Sequence, residues 1–268
     1  IRKIARRSFL VGSVAIAGGV AFGVYKWREV PPNPLEPSDG AIPLNPFVVI
    51  TREGVMIITP KAEMGQGVQS TWAALAAEEL DVEWEDISVL HGPPAQAYFN
   101  SALFGEAVPG LAYKVGPTGA YIRDLAGGGA KLLSLQLTGG STSTRDGYEK
   151  MRMAGATARE TLKIVAARRL GVGLGELSTT SGEVIARDGR RISYAELAEE
   201  AANVEPPKVE LRDPSQWRYL GKTMPRLDMI PKVTGKAQYA IDVRLPGMKF
   251  ATVRMNPRRT DMISYDAS

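Results

Sequence analysis

Two glycine/hydroxyl turns, each running straight into a helical apolar pattern, constrain this chain more than anything else in it. The first is Glu63-Met-Gly-Gln-Gly-Val-Gln-Ser-Thr71 and the second is Gln136-Leu-Thr-Gly-Gly-Ser-Thr-Ser-Thr-Arg145. A helix start leaves backbone N–H groups unpaired at the positive end of the helix dipole, which suits a phosphate or another anion. Glycine lets the backbone approach a ligand, and Ser/Thr hydroxyls add rotatable donors. Ordinary helices are capped by the same residues, so one such turn says little. Two in one domain can converge on a single extended anion. The candidate binding residues are Gly65, Gln66 and Gly67 in the first turn, and Gly139, Gly140, Ser141, Thr142 and Ser143 in the second. The plain alternative is that both turns merely start helices.

Composition removes several other chemistries. The chain has 268 residues and a net charge of +4, and Arg2, Lys3, Arg6 and Arg7 account for all of that excess. The basic balance is therefore a property of the N-terminus and not a nucleic-acid footprint. Absence of cysteine excludes disulfides, a cysteine-ligated iron–sulfur cluster and a CxxCH haem within this chain. With His91 as the single histidine, a zinc site or a Ser–His triad does not fit. His91 reads as a strand-end residue. Gly127-Gly-Gly-Ala-Lys131 lacks P-loop spacing, and no stretch gives a Rossmann glycine fingerprint.

Taken in order, the chain predicts an α+β protein. Arg6-Arg7-Ser8-Phe9-Leu10 and the uncharged run Val11–Tyr25 look like a twin-arginine export signal, with residues 1–30 kept as a membrane anchor. Residues 31–46 are proline-rich and predict an extended linker. Phe47–Thr51 and Val55–Thr59 flank Arg52-Glu53-Gly54 as a β-hairpin. A helix over Val68–Leu80 carries the stripe Val68, Trp72, Leu75, Ala76 and Leu80, which leaves Glu78 and Glu79 on a solvated flank. Asp86–Leu90 is a strand, and Gly92–Ala130 reads as irregular, a length that is usually functional or hides short elements. A long helix over Arg145–Leu170 has Met151, Ala154, Ala158, Leu162 and Val165 on one face, and its Ala154-Gly155-Ala156 permits close packing. Gly182–Ala186 and Arg190–Ile192 form a strand pair, and Ser193-Tyr-Ala-Glu196 is a capping box opening a helix through Ala202. Residues 47–203 make the first folded unit and 204–220 a second linker. Residues 221–268 begin a β-rich unit, in which Val233–Asp242 and Met248–Arg254 bracket the turn Leu245-Pro246-Gly247.

Lys61-Ala-Glu-Met-Gly-Gln-Gly-Val68, Leu137-Thr-Gly-Gly-Ser-Thr-Ser-Thr144 and Pro231-Lys-Val-Thr-Gly-Lys-Ala-Gln-Tyr239, in that order, resemble the molybdenum-binding large subunit of the xanthine oxidase/aldehyde oxidase family. The nearer likeness is to its isoquinoline 1-oxidoreductase β-subunit and membrane-bound aldehyde dehydrogenase type. The resemblance implies a partial molybdopterin-binding domain of mixed sheets and helices, followed by the start of an α/β hammerhead domain. It implies molybdopterin cytosine dinucleotide with molybdenum as cofactor, held through its dithiolene, so that this chain ligates no metal. Gln66 is then the side chain nearest the pterin and molybdenum end, with Ser141 and Ser143 better suited to phosphate oxygens. The family's base glutamate is expected C-terminal to this chain, so no catalytic residue is assigned. Gly171-Val-Gly-Leu-Gly-Glu176 only imitates its setting, and Glu176 is expected to be structural. Implied partners are the remainder of the molybdenum subunit, a [2Fe–2S] subunit, a membrane-bound c-type cytochrome carrying haem, and an aldehyde or N-heterocycle substrate. The place is the periplasmic face of the inner membrane. The alternative from another class is a non-catalytic anchor and assembly module covering one face of the cofactor.

Overall fold

The computed structural model describes residue 25 and residues 29–110, 114–253 and 255. The chain divides into two compact units, Ile1–Leu227 and Asp228–Ser268.

The first unit is α+β. Strands β1 (Ala41–Asn45), β2 (Val48–Thr51) and β3 (Val55–Thr59) form an antiparallel meander. The Arg52–Gly54 turn is closed by the Thr51 N–H donating to the Gly54 carbonyl (2.9 Å). A crossover through helix α1 (Val68–Leu80) returns the chain to strand β4 (Ile87–His91), which lies parallel to β3 and ends on His91. The hairpin, α1 and β4 fall where periodicity placed them. Residues 41–45 depart from the expected linker, because the edge of a sheet accepts Pro43 without losing an interior ladder bond.

Among the described residues, 92–130 are not irregular throughout. They hold a short helix, α2 (Ala102–Gly105), and a longer one, α3 (Pro117–Leu132). Pro117 opens α3 with its fixed φ. The Gly127-Gly128-Gly129 run opposes helix by propensity, yet packing requires it. A Cβ on Gly127 would stand 2.8 Å from the Ser101 carbonyl, and one on Gly129 would stand 3.0 Å from the Phe104 ring.

The core is built on α1 and α4 (Ser143–Leu170). The contacts of these helices advance together. A Cβ on Gly147 would overlap the Trp72 ring, one on Gly155 would overlap the Ala76 carbonyl, and Arg159 Nη1 donates to the Glu79 carbonyl (2.5 Å). The two helices therefore run in the same direction, with both N-termini at one end. Strands β5 (Leu177–Thr180), β6 (Glu183–Ala186) and β7 (Arg191–Ser193) form an antiparallel sheet. Helix α5 (Tyr194–Ala201) follows, and its capping box closes as predicted: the Glu196 N–H donates to Ser193 Oγ (3.3 Å), and the Ser193 N–H donates to Glu196 Oε2 (3.0 Å).

Helix α1 is buried nearly all round, and Glu78 and Glu79 are wholly buried instead of solvated. The cause lies far along the chain. Glu78 accepts the N–H groups of Arg218 (2.7 Å), Tyr219 (2.7 Å) and Leu220 (3.0 Å). Glu79 accepts from the Arg212 N–H (3.1 Å) and from Arg152 Nε (2.8 Å). Asp81, left-handed at φ 64°, caps the end of α1 and pairs with Arg212 and Arg218. Burial would raise the Asp81 carboxyl, but bonds from Arg212 and Thr179 outweigh this and hold it below its ordinary value. Residues 212–220 are thus bound to α1 and are not a linker.

In the second unit, helix α6 (Met229–Val233) and a 3₁₀ turn at Ala240–Asp242 are the regular elements among the described residues. No strand forms there over 233–242 or 248–253, and Tyr239, Ile241, Phe250 and Val253 are exposed. Among the described residues these stretches have no neighbouring strand to pair with. The expected anchor helix lies outside the described residues apart from Tyr25, Glu29 and Val30. Among the described residues no helix is long and apolar enough to cross a membrane.

Two substitutions test this core. Gly155→Ala should cost about 3 kcal/mol by overpacking, read as a lower urea midpoint at unchanged slope. Glu78→Ala should cost about 3–5 kcal/mol, because it strands three backbone donors and unbalances a buried charge network. A midpoint within error of wild type in either variant would contradict the packing described.

Candidate functional site

The parallel run of α1 and α4 brings both glycine turns to the same end of the unit. They touch directly: the Ala62 N–H donates to Thr138 Oγ1 (2.8 Å). Behind them Lys61, wholly buried, pairs with Asp146 in the first turn of α4 (3.0 Å) and reaches the Leu137 carbonyl (3.4 Å). Asp146 also pairs with Lys150 (2.6 Å) and accepts from the Ser101 N–H and hydroxyl (both 2.8 Å). Burial lowers the Lys61 ammonium against the pull of Asp146. Burial would raise Asp146, but Lys150 and Lys61 outweigh it and hold the carboxyl below the usual carboxylate range. Two ammonium groups against one carboxylate leave a net positive charge at the base of the second turn. Asn100 completes the support, donating to the Leu137 carbonyl (3.0 Å) and to Thr142 Oγ1 (2.8 Å).

Alike in sequence, the two turns differ in what they offer. In the second, Gly140 and Ser141 are left-handed (φ 59° and 54°), and Ser141 is exposed. No described protein group accepts from the N–H groups of Gly140, Ser141, Ser143 or Thr144. Thr142 is buried, its hydroxyl donating to the Gly139 carbonyl (2.7 Å), so Gly139 and Thr142 shape the turn from within. Arg145 reaches back to the Ser141 carbonyl (3.2 Å) and pairs with Glu106.

In the first turn a carboxylate already takes three of the donors. Glu63 accepts the N–H groups of Gly65 (2.8 Å), Gly67 (3.0 Å) and Gln69 (3.2 Å). Gln66 is exposed but folded onto its own turn, its amide donating to the Ala62 carbonyl (2.7 Å) and accepting from the Met64 N–H (2.6 Å). Glu176 is structural here: its carboxylate accepts the Gly173 N–H (2.9 Å) in the turn before β5. Sequence reasoning missed Lys61, Asp146, Asn100 and Glu63. Lys61 and Glu63 stand inside a quoted motif, but only the fold shows what they face.

No family model matches the chain. It is 29% identical over 292 residues to the β-subunit of isoquinoline 1-oxidoreductase of Brevundimonas diminuta, covering 95% of this chain and 34% of that protein. The chain is similar to this type of subunit, within the xanthine oxidase/aldehyde oxidase family. It is also 24% identical over 269 residues to a membrane-bound aldehyde dehydrogenase (pyrroloquinoline-quinone) of Gluconacetobacter polyoxogenes, covering 96% of this chain and 30% of the relative. A nicotinate dehydrogenase subunit of Pseudomonas putida is 27% identical over 217 residues, or 79% of this chain and 15% of the relative. The chain thus spans about a third or less of the length of these curated relatives. Among solved structures, CO dehydrogenase from Oligotropha carboxidovorans overlaps 59% of this chain and 16% of its own at a TM-score of 0.35 and 20% identity, too loose a fit to carry an argument.

Asp146 supplies a pH test. Its folded value lies below its unfolded one, so its contribution is fully present above about pH 4 and is lost as pH falls through the folded value. Asp146→Asn should cost about 3–5 kcal/mol at pH 7, where it leaves Lys61 buried without its partner. The gap from wild type should narrow at pH 3. Urea midpoints at the two pH values decide it; a gap that widens in acid contradicts the pairing.

Proposed function

We propose that this chain forms part of the cofactor site of a molybdenum-dependent oxidoreductase of the aldehyde dehydrogenase type, acting on an aldehyde or N-heterocycle with oxygen drawn from water. The observation that carries the reading is the convergence of the two turns. One side of the junction offers unpaired N–H groups over a net positive base, and the other offers an open glycine surface with an exposed amide. Those features suit the two ends of a pterin dinucleotide. Gly140, Ser141 and Ser143 would hold the diphosphate through backbone N–H and hydroxyl groups at the start of α4. Gly65 and Gly67 would admit the flat heterocycle, since a Cβ at Gly65 would meet nothing within 4 Å. Gln66 would exchange its contacts within the turn for one donor and one acceptor on the heterocycle edge. Gly139 and Thr142 would keep the second turn in shape.

Bound molybdopterin cytosine dinucleotide supplies the two-electron oxidation and oxygen transfer, while the protein orients and hydrogen-bonds. This chain contributes binding and positioning, and no described carboxylate is assigned as base. Because the chain has no cysteine, the electrons leave through partner subunits, a [2Fe–2S] protein and a c-type cytochrome. The twin arginine at Arg6-Arg7 supports export to the periplasmic face of the membrane. The assembly-module alternative shares the same cofactor contacts and differs only in which chain carries the base.

Elemental and pterin analysis of the native complex tests the reading. We expect about one molybdenum per chain and releasable cytosine dinucleotide. Ser141→Glu, which sets a like charge at the phosphate end, should cut molybdenum content about tenfold, equivalent to about 1.4 kcal/mol. An intact complex free of molybdenum and pterin returns both turns to plain helix starts.

A further inference from the structure

We propose that Glu63 is a positioning residue, locking the Gly65–Gly67 turn into its ligand-accepting shape and placing a negative charge and three occupied N–H groups where an anion would otherwise bind. The inference rests on the pterin reading and adds a residue to it. The Glu63 side chain is only 8% exposed, although it belongs to a surface turn. Its Oε1 accepts from Gly65 and Gly67, and its Oε2 accepts from Gln69. Arg226, from the far end of the unit, donates to Glu63 (3.2 Å) and to the Gly65 carbonyl (2.8 Å).

The physical consequence is twofold. Gly65 and Gly67 hold φ values of 100° and 81°, accessible to glycine at a high entropic cost on ordering. A carboxylate bonded to three backbone donors and a guanidinium supplies that order in advance, so a ligand need not. The same carboxylate occupies the place at the head of α1 that an anion would otherwise take. This turn therefore repels phosphate, and the turn before α4 is left as the more open one. Glu63 thereby fixes which way round an extended anionic ligand lies.

The test uses the full subunit in its native complex, comparing wild type with Glu63→Gln and Arg226→Gln. Glu63→Gln keeps the shape, loses the charge, and faces one N–H with an amide donor. We expect molybdenum content about tenfold lower and amide exchange at residues 65–69 at least tenfold faster, with exchange across α4 unchanged. Arg226→Gln should lower molybdenum about threefold, and the double variant should fall short of the product of the two losses. A wild-type complex loaded with molybdenum and a Glu63→Gln complex loaded equally would overturn this inference alone. Accelerated exchange throughout α1 and α4 would also overturn it, marking Glu63 as a residue of general stability. An unloaded wild-type complex would remove the pterin reading, and this inference with it.

Discussion

Everything at the candidate site depends on how closely α1 and α4 approach each other. Gly147 lies against the Trp72 ring and Gly155 against the Ala76 carbonyl, and neither contact has room for a methyl group. Because the helices run the same way, their dipoles add, and both positive ends meet at the two glycine turns. An arrangement of that kind needs negative charge at one end and positive charge at the other. Glu63 and Asp146 stand at the N-terminal end, where Lys61 and Lys150 nevertheless outnumber Asp146 and leave room for an added anion. At the C-terminal end of α1 the charges are the opposite of what the dipole favours, and Arg152, Arg159, Arg212 and Arg218 surround Glu78, Glu79 and Asp81.

The buried charges also determine how distant segments are held. Replacing either network by apolar groups of matched shape need not cost stability, whereas removing one member does. Their value lies in registration. Lys61 can satisfy Asp146 only when the first turn lies beside the second. Residues 218–220 can satisfy Glu78 only when that stretch is drawn along the end of α1.

Much of the first unit was legible because its signals are local. The hairpin over 47–59, the stripe of α1, the capping box at Ser193 and the length of α4 are set by side-chain period and backbone capping. Features set by distant partners were not legible. Glu78 and Glu79 read as a polar flank because nothing nearby in sequence shows that residues about 130–140 positions away will cover them. The Gly127–Gly129 run read as a break because propensity cannot register the helix that packs against it. In the second unit the two stretches around the Leu245–Gly247 turn read as strands, but among the described residues they have no partner strand.

By itself the sequence determined that two turns rich in glycine and hydroxyl groups would open two helices, and which residue types they would offer a ligand. Tertiary structure alone decided that the turns lie together and that they are unlike. One has three of its N–H groups taken by its own Glu63, held by an Arg226 that stands 163 residues away. The other is left with unpaired N–H groups above Lys61 and Lys150. The reason is that hydrogen-bonding capacity is a property of residues, while its availability is set by whatever the fold brings within about 3 Å.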